Sequence, residues 1–383
     1  MKCITRVLCV VHSLVLSLAC FATDSEEVLT SIESRAQQLT DLSDHIWDLA
    51  EVGYQETLSS NALKNALLAE GFSIESGVAS IPTAFVASYG SGQPVIAIMG
   101  EFDALPGISQ AAVPVVQKID GKKAAHACGH HLFGAGSVGA AIAVKEWLDR
   151  TETSGTVQFF GTPAEEGGSG KVYMVRAGLF DDVDTVIHWH PASVNSADSA
   201  STLANRSAKF TFTGVSSHAA SAPERGRSAL DAVESMNFMV NLLREHVPSS
   251  TRLHYVITNG GATPNVVPNT AESFYYVRHP NENALREIWD RVVATADAAA
   301  MGTGTTMDYE VIHGNYSVLP NDTLARVMHD NLSRVGGFAY SDVDKIFANE
   351  IAKTLPKGAY IEGRPIGVKP FETGQRSNGS TDV

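Results

Sequence analysis

Several short apolar runs in this chain break off abruptly into glycine and then into acidic, histidine or cysteine residues. The run at 94–99 (Pro-Val-Ile-Ala-Ile-Met) leads into Gly100-Glu101-Phe102-Asp103-Ala104-Leu105-Pro106-Gly107. The run at 156–160 (Thr-Val-Gln-Phe-Phe) leads into Gly161-Thr162-Pro163-Ala164-Glu165-Glu166-Gly167-Gly168-Ser169-Gly170, and that at 183–189 ends beside His190 and Pro191. A strand with no polar face must be covered on both sides, which places it inside a sheet rather than at its surface. Residues 83–89 read as a strand neighbouring 94–99. Helical periodicity fills the intervals: a stripe across 24–70 that Gly71 stops, and a Gly/Ala-rich helix over 132–150. The fold class this implies is α/β, a mostly parallel sheet with helices on both faces.

Near residue 205 the texture changes. Residues 208–213 (Ala-Lys-Phe-Thr-Phe-Thr) alternate apolar and polar as a half-exposed strand does. A helix over 228–246, strands at 253–258 and 272–277, a helix over 283–301 and a strand at 305–312 complete β-α-β-β-α-β, the order of a ferredoxin-like α+β domain. The expected organisation is an inserted domain at 205–314, within a catalytic domain formed by 23–204 and 315–383. A chain of 383 residues is long enough for two cores.

Residues 1–22 read as a signal peptide. Lys2 and Arg6 precede a short apolar stretch, small residues surround Ala22, and Asp24, Glu26 and Glu27 follow. The stretch is too short for a membrane span, and Leu16-Ser17-Leu18-Ala19 matches a lipidation motif at Cys20 poorly. The expected location is therefore periplasmic or secreted. Removing residues 1–22 takes away Cys3, Cys9 and Cys20 and leaves Cys128 alone, so the thiol calls for a chemical use rather than a disulfide. A net charge of -14 argues against nucleic acid as a partner.

The chemistry gathers at the strand ends, where open α/β sheets bind their ligands. Glu101 and Asp103 follow one strand, either as catalytic carboxylates or as a solvated turn. His126-Ala127-Cys128-Gly129-His130-His131 sets three histidines around the lone thiol, ligand types suited to zinc-like ions. Glu165 and Glu166, being adjacent, point apart, so one can bind metal while the other serves as general base. His188 and His190 lie on one face of their strand, and either can serve as a ligand. A Gly-rich phosphate loop at 167–170 is disfavoured, because no Lys-Ser/Thr pair follows and the acidic residues repel phosphate.

These motifs (G-E-F-D-A-L-P-G, H-A-C-G-H-H-L-F-G-A-G, T-P-A-E-E-G-G-S-G-K and H-W-H-P) resemble the metallopeptidase family of aminoacylases, di-zinc carboxypeptidases and auxin-conjugate amidohydrolases, with its aminobenzoyl-glutamate hydrolase branch as the nearest likeness. The resemblance implies a metal-dependent amidohydrolase acting on an N-acyl amino acid, an aminobenzoyl-glutamate-like conjugate or a dipeptide. It implies one or two ions of zinc or manganese on Cys128, His130, Glu166 and His190. Glu165 matches the general base, and Asp103 the acidic residue that supports the site. The insert matches a lid and dimerisation domain, implying a homodimer in which His218 reaches the partner's site and steadies the oxyanion, while Asn265 and Arg278 grip the substrate carboxylate. His131 stands where relatives carry Asp or Asn, leaving open a changed second shell or an added ligand. The final residues, 378–383, resemble a motif that precedes a further strand and a last histidine ligand in the family. The expectation there is an incomplete second metal position and, as the competing function, a catalytically impaired metal- or peptide-binding protein.

Overall fold

A computed structural model describes residues 25–356 and 366–383. The expected signal peptide, 1–22, lies outside the described residues. The chain divides into two compact units. Of the described residues, one takes those up to Glu166, then Tyr173–Ser193 and 340–356; the other takes Gly167–Val172, Val194–Ala339 and 366–383.

In the first unit the stripe expected over 24–70 includes two separate helices, α1 (Ala36–Leu49) and α2 (Thr57–Ala69). Ala50 turns left-handed at φ 46° and ends α1. The Glu51 carboxylate then accepts from the amides of Leu58 (3.1 Å) and Ser59 (2.8 Å), satisfying the open N-terminus of α2. Strands β1 (Ser73–Ser76), β2 (Phe85–Ser91) and β3 (Val95–Gly100) follow, then the small pair β4 (Leu105–Pro106) and β5 (Ala124–Ala125). After them come α3 (His130–Thr151), β6 (Gly155–Gly161), α4 (Gly170–Arg176) and β7 (Thr185–Ile187).

The main sheet has the order β1-β2-β6-β3-β7. Strands β6, β3 and β7 run parallel, while β2 is antiparallel to β6 and β1 to β2. The runs at 83–89 and 94–99 are therefore not neighbours, because β6 lies between them. Their connection passes around the end of β6, with Gly92 O accepting from Thr156 Oγ1 and Pro94 O from the Thr156 amide, both at 2.9 Å.

The apolar composition of β3 follows from its place. Ile98 joins Phe85, Val157 and Phe159 against Ile46, Leu63, Val138 and Ile142 of the helices. Ala97 and Met99 join Val86, Phe160 and Met174 on the opposite face. Each fully buried large side chain contributes about 1.5–3 kcal/mol relative to exposure, so both faces hold β3 in register.

The second unit contains β8 (Ser199–Ser201), β9 (Ala204–Thr213), α5 (Ala229–Leu243), β10 (Arg252–Asn259), β11 (Thr270–His279), α6 (Glu282–Thr303), β12 (Thr306–Asn315) and α7 (Asp322–Val335). Its antiparallel sheet runs β10-β11-β9-β12, the ferredoxin-like arrangement. Ser228 and Asn281 cap α5 and α6 by accepting from the Asp231 and Ala284 amides. Phe210, Phe212, Tyr275 and Val277 pack under Met236, Val240, Trp289 and Val292. After α7 the chain forms α8 (Asp342–Ala352), which groups with the first unit, and β13 (Thr373–Arg376), which pairs in parallel with β8. Residues 315–339 and 366–383 thus group with the second unit rather than with the catalytic one as expected. The ladder to β8 and the buried Lys171–Asp382 ion pair hold the closing segment there. Among the described residues no helix is long and apolar enough to cross a membrane.

Candidate metal and catalytic site

The strand ends of the first unit bring the chemistry-bearing residues together. At Gly100 a Cβ would stand 2.7 Å from the Phe159 ring, so glycine lets β3 close against β6 and delivers Glu101 and Asp103 at its end. At Gly129, φ is +88° and a Cβ would meet Pro191 at 2.8 Å. Only glycine suits both demands, and it starts α3 with His130 on its first turn.

His130 is the hub. Fully buried, it donates from Nδ1 to Asp103 Oδ1 at 2.9 Å, and its Nε2 lies 2.9 Å from Glu101 Oε2. The other oxygen of Asp103 accepts from the Glu166 amide at 2.8 Å. Cys128 Sγ and His190 Nε2 are 3.4 Å apart, and His190 Nδ1 is turned to Pro191 O at 2.8 Å. Two overlapping donor groups result, each with its ligand atoms within 4.8 Å of one another: Cys128, His130 and His190, and Glu101, His130 and Glu165.

Electrostatics reflect the crowding. Burial alone would push the His130 imidazole down, but hydrogen bonds to Asp103, Cys128 and Glu101 override it and hold the ring far above its ordinary range. Hydrogen bonds to His130 and His190 pull the Cys128 thiol down toward thiolate. Its bond to Cys128 raises His190. Burial raises Glu166.

A thiolate, two imidazoles and carboxylates form a donor set for a borderline divalent ion. The buried atoms Glu166 Oε1 and His188 Nε2 have no hydrogen-bond partner among the described residues, as vacant ligand or second-shell positions would. Asp103 fixes the His130 tautomer and leaves Nε2 for an ion, the usual second-shell arrangement. These residues fit a metal.

Of the expected site residues, Cys128, His130, Glu165, Glu166, His190 and Asp103 belong to this unit and to this network. His131 belongs elsewhere: its ring packs against Trp47 at 5.0 Å and His126 at 5.1 Å, and burial pushes both histidines down to about 4. It completes an aromatic cluster and supplies no atom to either donor group.

The remaining three lie in the second unit. His218 and Asn265 are brought together by an antiparallel bridge, His218 to Val266, and by the Ala219 amide donating to Asn265 O at 3.0 Å. His218 Nδ1 accepts from the amides of Ala220 (3.2 Å) and Ser221 (3.1 Å). The neutral ring therefore carries its proton on exposed Nε2, ready to donate. Arg278 stacks over Tyr276 at 5.4 Å, with a buried Nε that has no hydrogen-bond partner among the described residues.

Sequence reasoning left Glu101 between a catalytic carboxylate and a solvated turn, and missed Glu56 altogether. Glu56 is buried, and burial lifts its carboxyl to about 7. Its sequence signal was faint, because an acidic residue inside an apolar helical stripe reads as the exposed face.

Comparison with known proteins gives the chain's family. The model of peptidase family M20/M25/M40 matches residues 97–361. The chain is 44% identical over 327 residues to one of the two p-aminobenzoyl-glutamate hydrolase chains of Escherichia coli (strain K12), covering 85% of this chain and 68% of that protein. It is 31% identical over 318 residues to the Xaa-Arg dipeptidase of Mus musculus, covering 80% and 70%. A Bacillus subtilis structure described as a dinuclear metal binding peptidase of the M20 family superposes with a TM-score of 0.59 at 19% identity, covering 91% of this chain and 85% of that one.

Proposed function

The chain belongs to peptidase family M20/M25/M40 and is a metal-dependent amidohydrolase; from that premise we propose that it hydrolyses the amide of an aminobenzoyl-glutamate-like conjugate, an N-acyl amino acid or a dipeptide. The observation that carries this reading is the convergence of Cys128, His130 and His190 on one point, with Glu101, His130 and Glu165 adjoining.

Cys128, His130, Glu166 and His190 hold the metal, which is zinc or manganese. Two ions per protomer is the count suggested by the dinuclear Bacillus subtilis protein. A divalent ion in such a site supplies Lewis acidity, polarising the amide carbonyl and making water acidic near neutrality. Glu165, half-buried between the Asp103-anchored amide of Glu166 and the turn at Ala164, takes the proton of the attacking water and passes it to the leaving amine. His218 donates from Nε2 to the carbonyl oxygen as charge builds there. Arg278 and Asn265 take the substrate's free carboxylate, a task suited to the planar guanidinium fork.

The sheet of the second unit joins two copies of the chain, so that His218 acts on its partner's substrate. Exposed Phe238 and Leu242 on α5, with Val256 and Ile257 on the edge strand β10, support such a contact. Residues 1–22 direct export to the periplasm or beyond.

Glu165→Ala and Glu166→Ala separate the roles. Glu165→Ala keeps its metal and loses turnover of aminobenzoyl-glutamate, whereas Glu166→Ala loses metal. Near-normal hydrolysis by Glu165→Ala refutes the assignment. Mixing Glu165→Ala with His218→Ala chains restores part of the activity if His218 acts in trans, and failure to do so despite exchange of protomers refutes the dimer mechanism.

A further inference from the structure

We propose that Glu56 is a positioning residue for Glu165: its buried carboxylate grips the Ala164 amide and fixes the left-handed turn that presents the general base. The inference rests on the reading of Glu165 given above.

A helix N-cap side chain ordinarily turns back to its own first amides. Glu56 stands at that position of α2 but makes no such bond. Glu51 does the work instead, accepting from the Leu58 and Ser59 amides and the Ser59 hydroxyl. Glu56 is thereby free to point inward. Its Oε2 accepts from Thr83 Oγ1 at 3.0 Å, and its Oε1 accepts from the Ala164 amide at 2.9 Å. Glu56, Thr83 and Ala164 are all buried.

Ala164 is the residue before Glu165, and its φ is +60°. A residue with a Cβ occupies that region at a cost, so something must hold it there. Glu56 grips it by the amide. The 51–56 segment also packs closely against it: a Cβ on Gly53 would stand 3.0 Å from Ala164, so glycine there permits the approach. Two residues on, the Glu166 amide is held by Asp103 Oδ2 at 2.8 Å. Two buried carboxylates thus clamp alternate amides of the loop, with Glu165 on the residue between them. Asp103 belongs to the network of His130, while Glu56 supplies no atom to either donor group; it reaches the site by its grip on the loop and by its charge beside Asp103, and only the first route depends on Glu165.

The test is a double-mutant cycle read by kcat, KM and bound metal. Glu56→Ala lowers kcat by about 10²-fold, the scale expected when a catalytic group is displaced by about 1 Å, with KM and metal content near those of the parent. In a Glu165→Ala background the same change leaves the residual rate unaltered, because the residue it positions is gone. Glu56→Gln keeps a carbonyl oxygen for the Ala164 amide, while its NH2 can donate to the Thr83 hydroxyl, which turns to accept, and it retains most of the rate. Should Glu56→Ala fail to fold, Glu56→Asp serves, since the shorter side chain cannot reach Thr83 and Ala164 together, and it lowers kcat in the same background-dependent way. Equal losses in both backgrounds, or a wild-type kcat in Glu56→Ala or Glu56→Asp, overturn the proposal. A Glu165→Ala chain of normal activity sinks the function proposed for Glu165 itself, whereas an inactive Glu165→Ala beside a fully active Glu56→Ala sinks only the positioning role.

Discussion

Asp103→Asn is an almost isosteric change with a sharp consequence. Asp103 receives two donors at once, the His130 Nδ1–H at 2.9 Å and the Glu166 amide at 2.8 Å, in a site with 1% of the residue exposed. Asparagine has one acceptor and one donor end, and flipping the amide does not help, because both neighbours donate. One buried donor is left facing an NH2 group, a loss of about 1–3 kcal/mol. His130 can escape only by moving its proton to Nε2, the nitrogen left for the ion. Either way metal binding suffers, and loss of a carboxylate orienting a ligand histidine lowers affinity by about 10–100-fold. Competitive titration against a chelator of known zinc affinity measures this directly, and urea unfolding of the metal-free protein reads the stability loss. If zinc affinity and unfolding midpoint both match wild type, the Asp103–His130–Glu166 network does not orient the site.

Burial raises the Glu56 carboxyl from 4.5 to about 7. The folded state then holds that proton more tightly than the unfolded chain, so the Glu56 contribution makes stability fall as pH rises through this window, by about 3 kcal/mol in all, and level off above it. Glu56→Gln removes that slope, and denaturation curves for the two chains that stay parallel from about pH 4.5 to about 7 contradict the burial argument. Metal affinity weakens as pH falls, because the ion must displace the proton that Asp103, Cys128 and Glu101 hold on His130; calorimetry in buffers of different ionisation enthalpy should show proton release on binding. Gly161→Ala costs about 1–3 kcal/mol by overpacking, since its Cβ would lie 2.1 Å from the Phe85 ring, and an unchanged unfolding midpoint would show that β2 and β6 can separate at no cost.

The strand ends were legible because burial and chemistry alternate so abruptly there. A run such as Val95–Gly100 has no polar side chain and is buried over its last four residues, and Glu101 and Asp103 directly after it emerge at the carboxyl edge of the sheet. The alternation of residues 208–213 likewise announced the second sheet. Strand order was not legible: nothing local in 83–99 reveals that β6 inserts between two sequence neighbours, since that is decided by contacts some 60 residues away. The break between α1 and α2 was hidden by apolar residues that keep helical spacing across it, and with it the role of 51–56. The sequence left His131 open, as an added ligand or as a change in the second shell. One helical position apart, the rings of His130 and His131 point to different neighbours, and only His130 meets the carboxylates.

The most direct test of the central claim is hydrolysis of aminobenzoyl-glutamate by protein stripped of metal with a chelator and titrated back with zinc or manganese. Activity should vanish on stripping and return in proportion to bound metal, saturating at about two ions per chain in a two-metal site, with Cys128→Ser failing to recover at the same metal concentrations. Full activity in the stripped protein, or recovery in Cys128→Ser that follows the wild-type curve, would contradict the account.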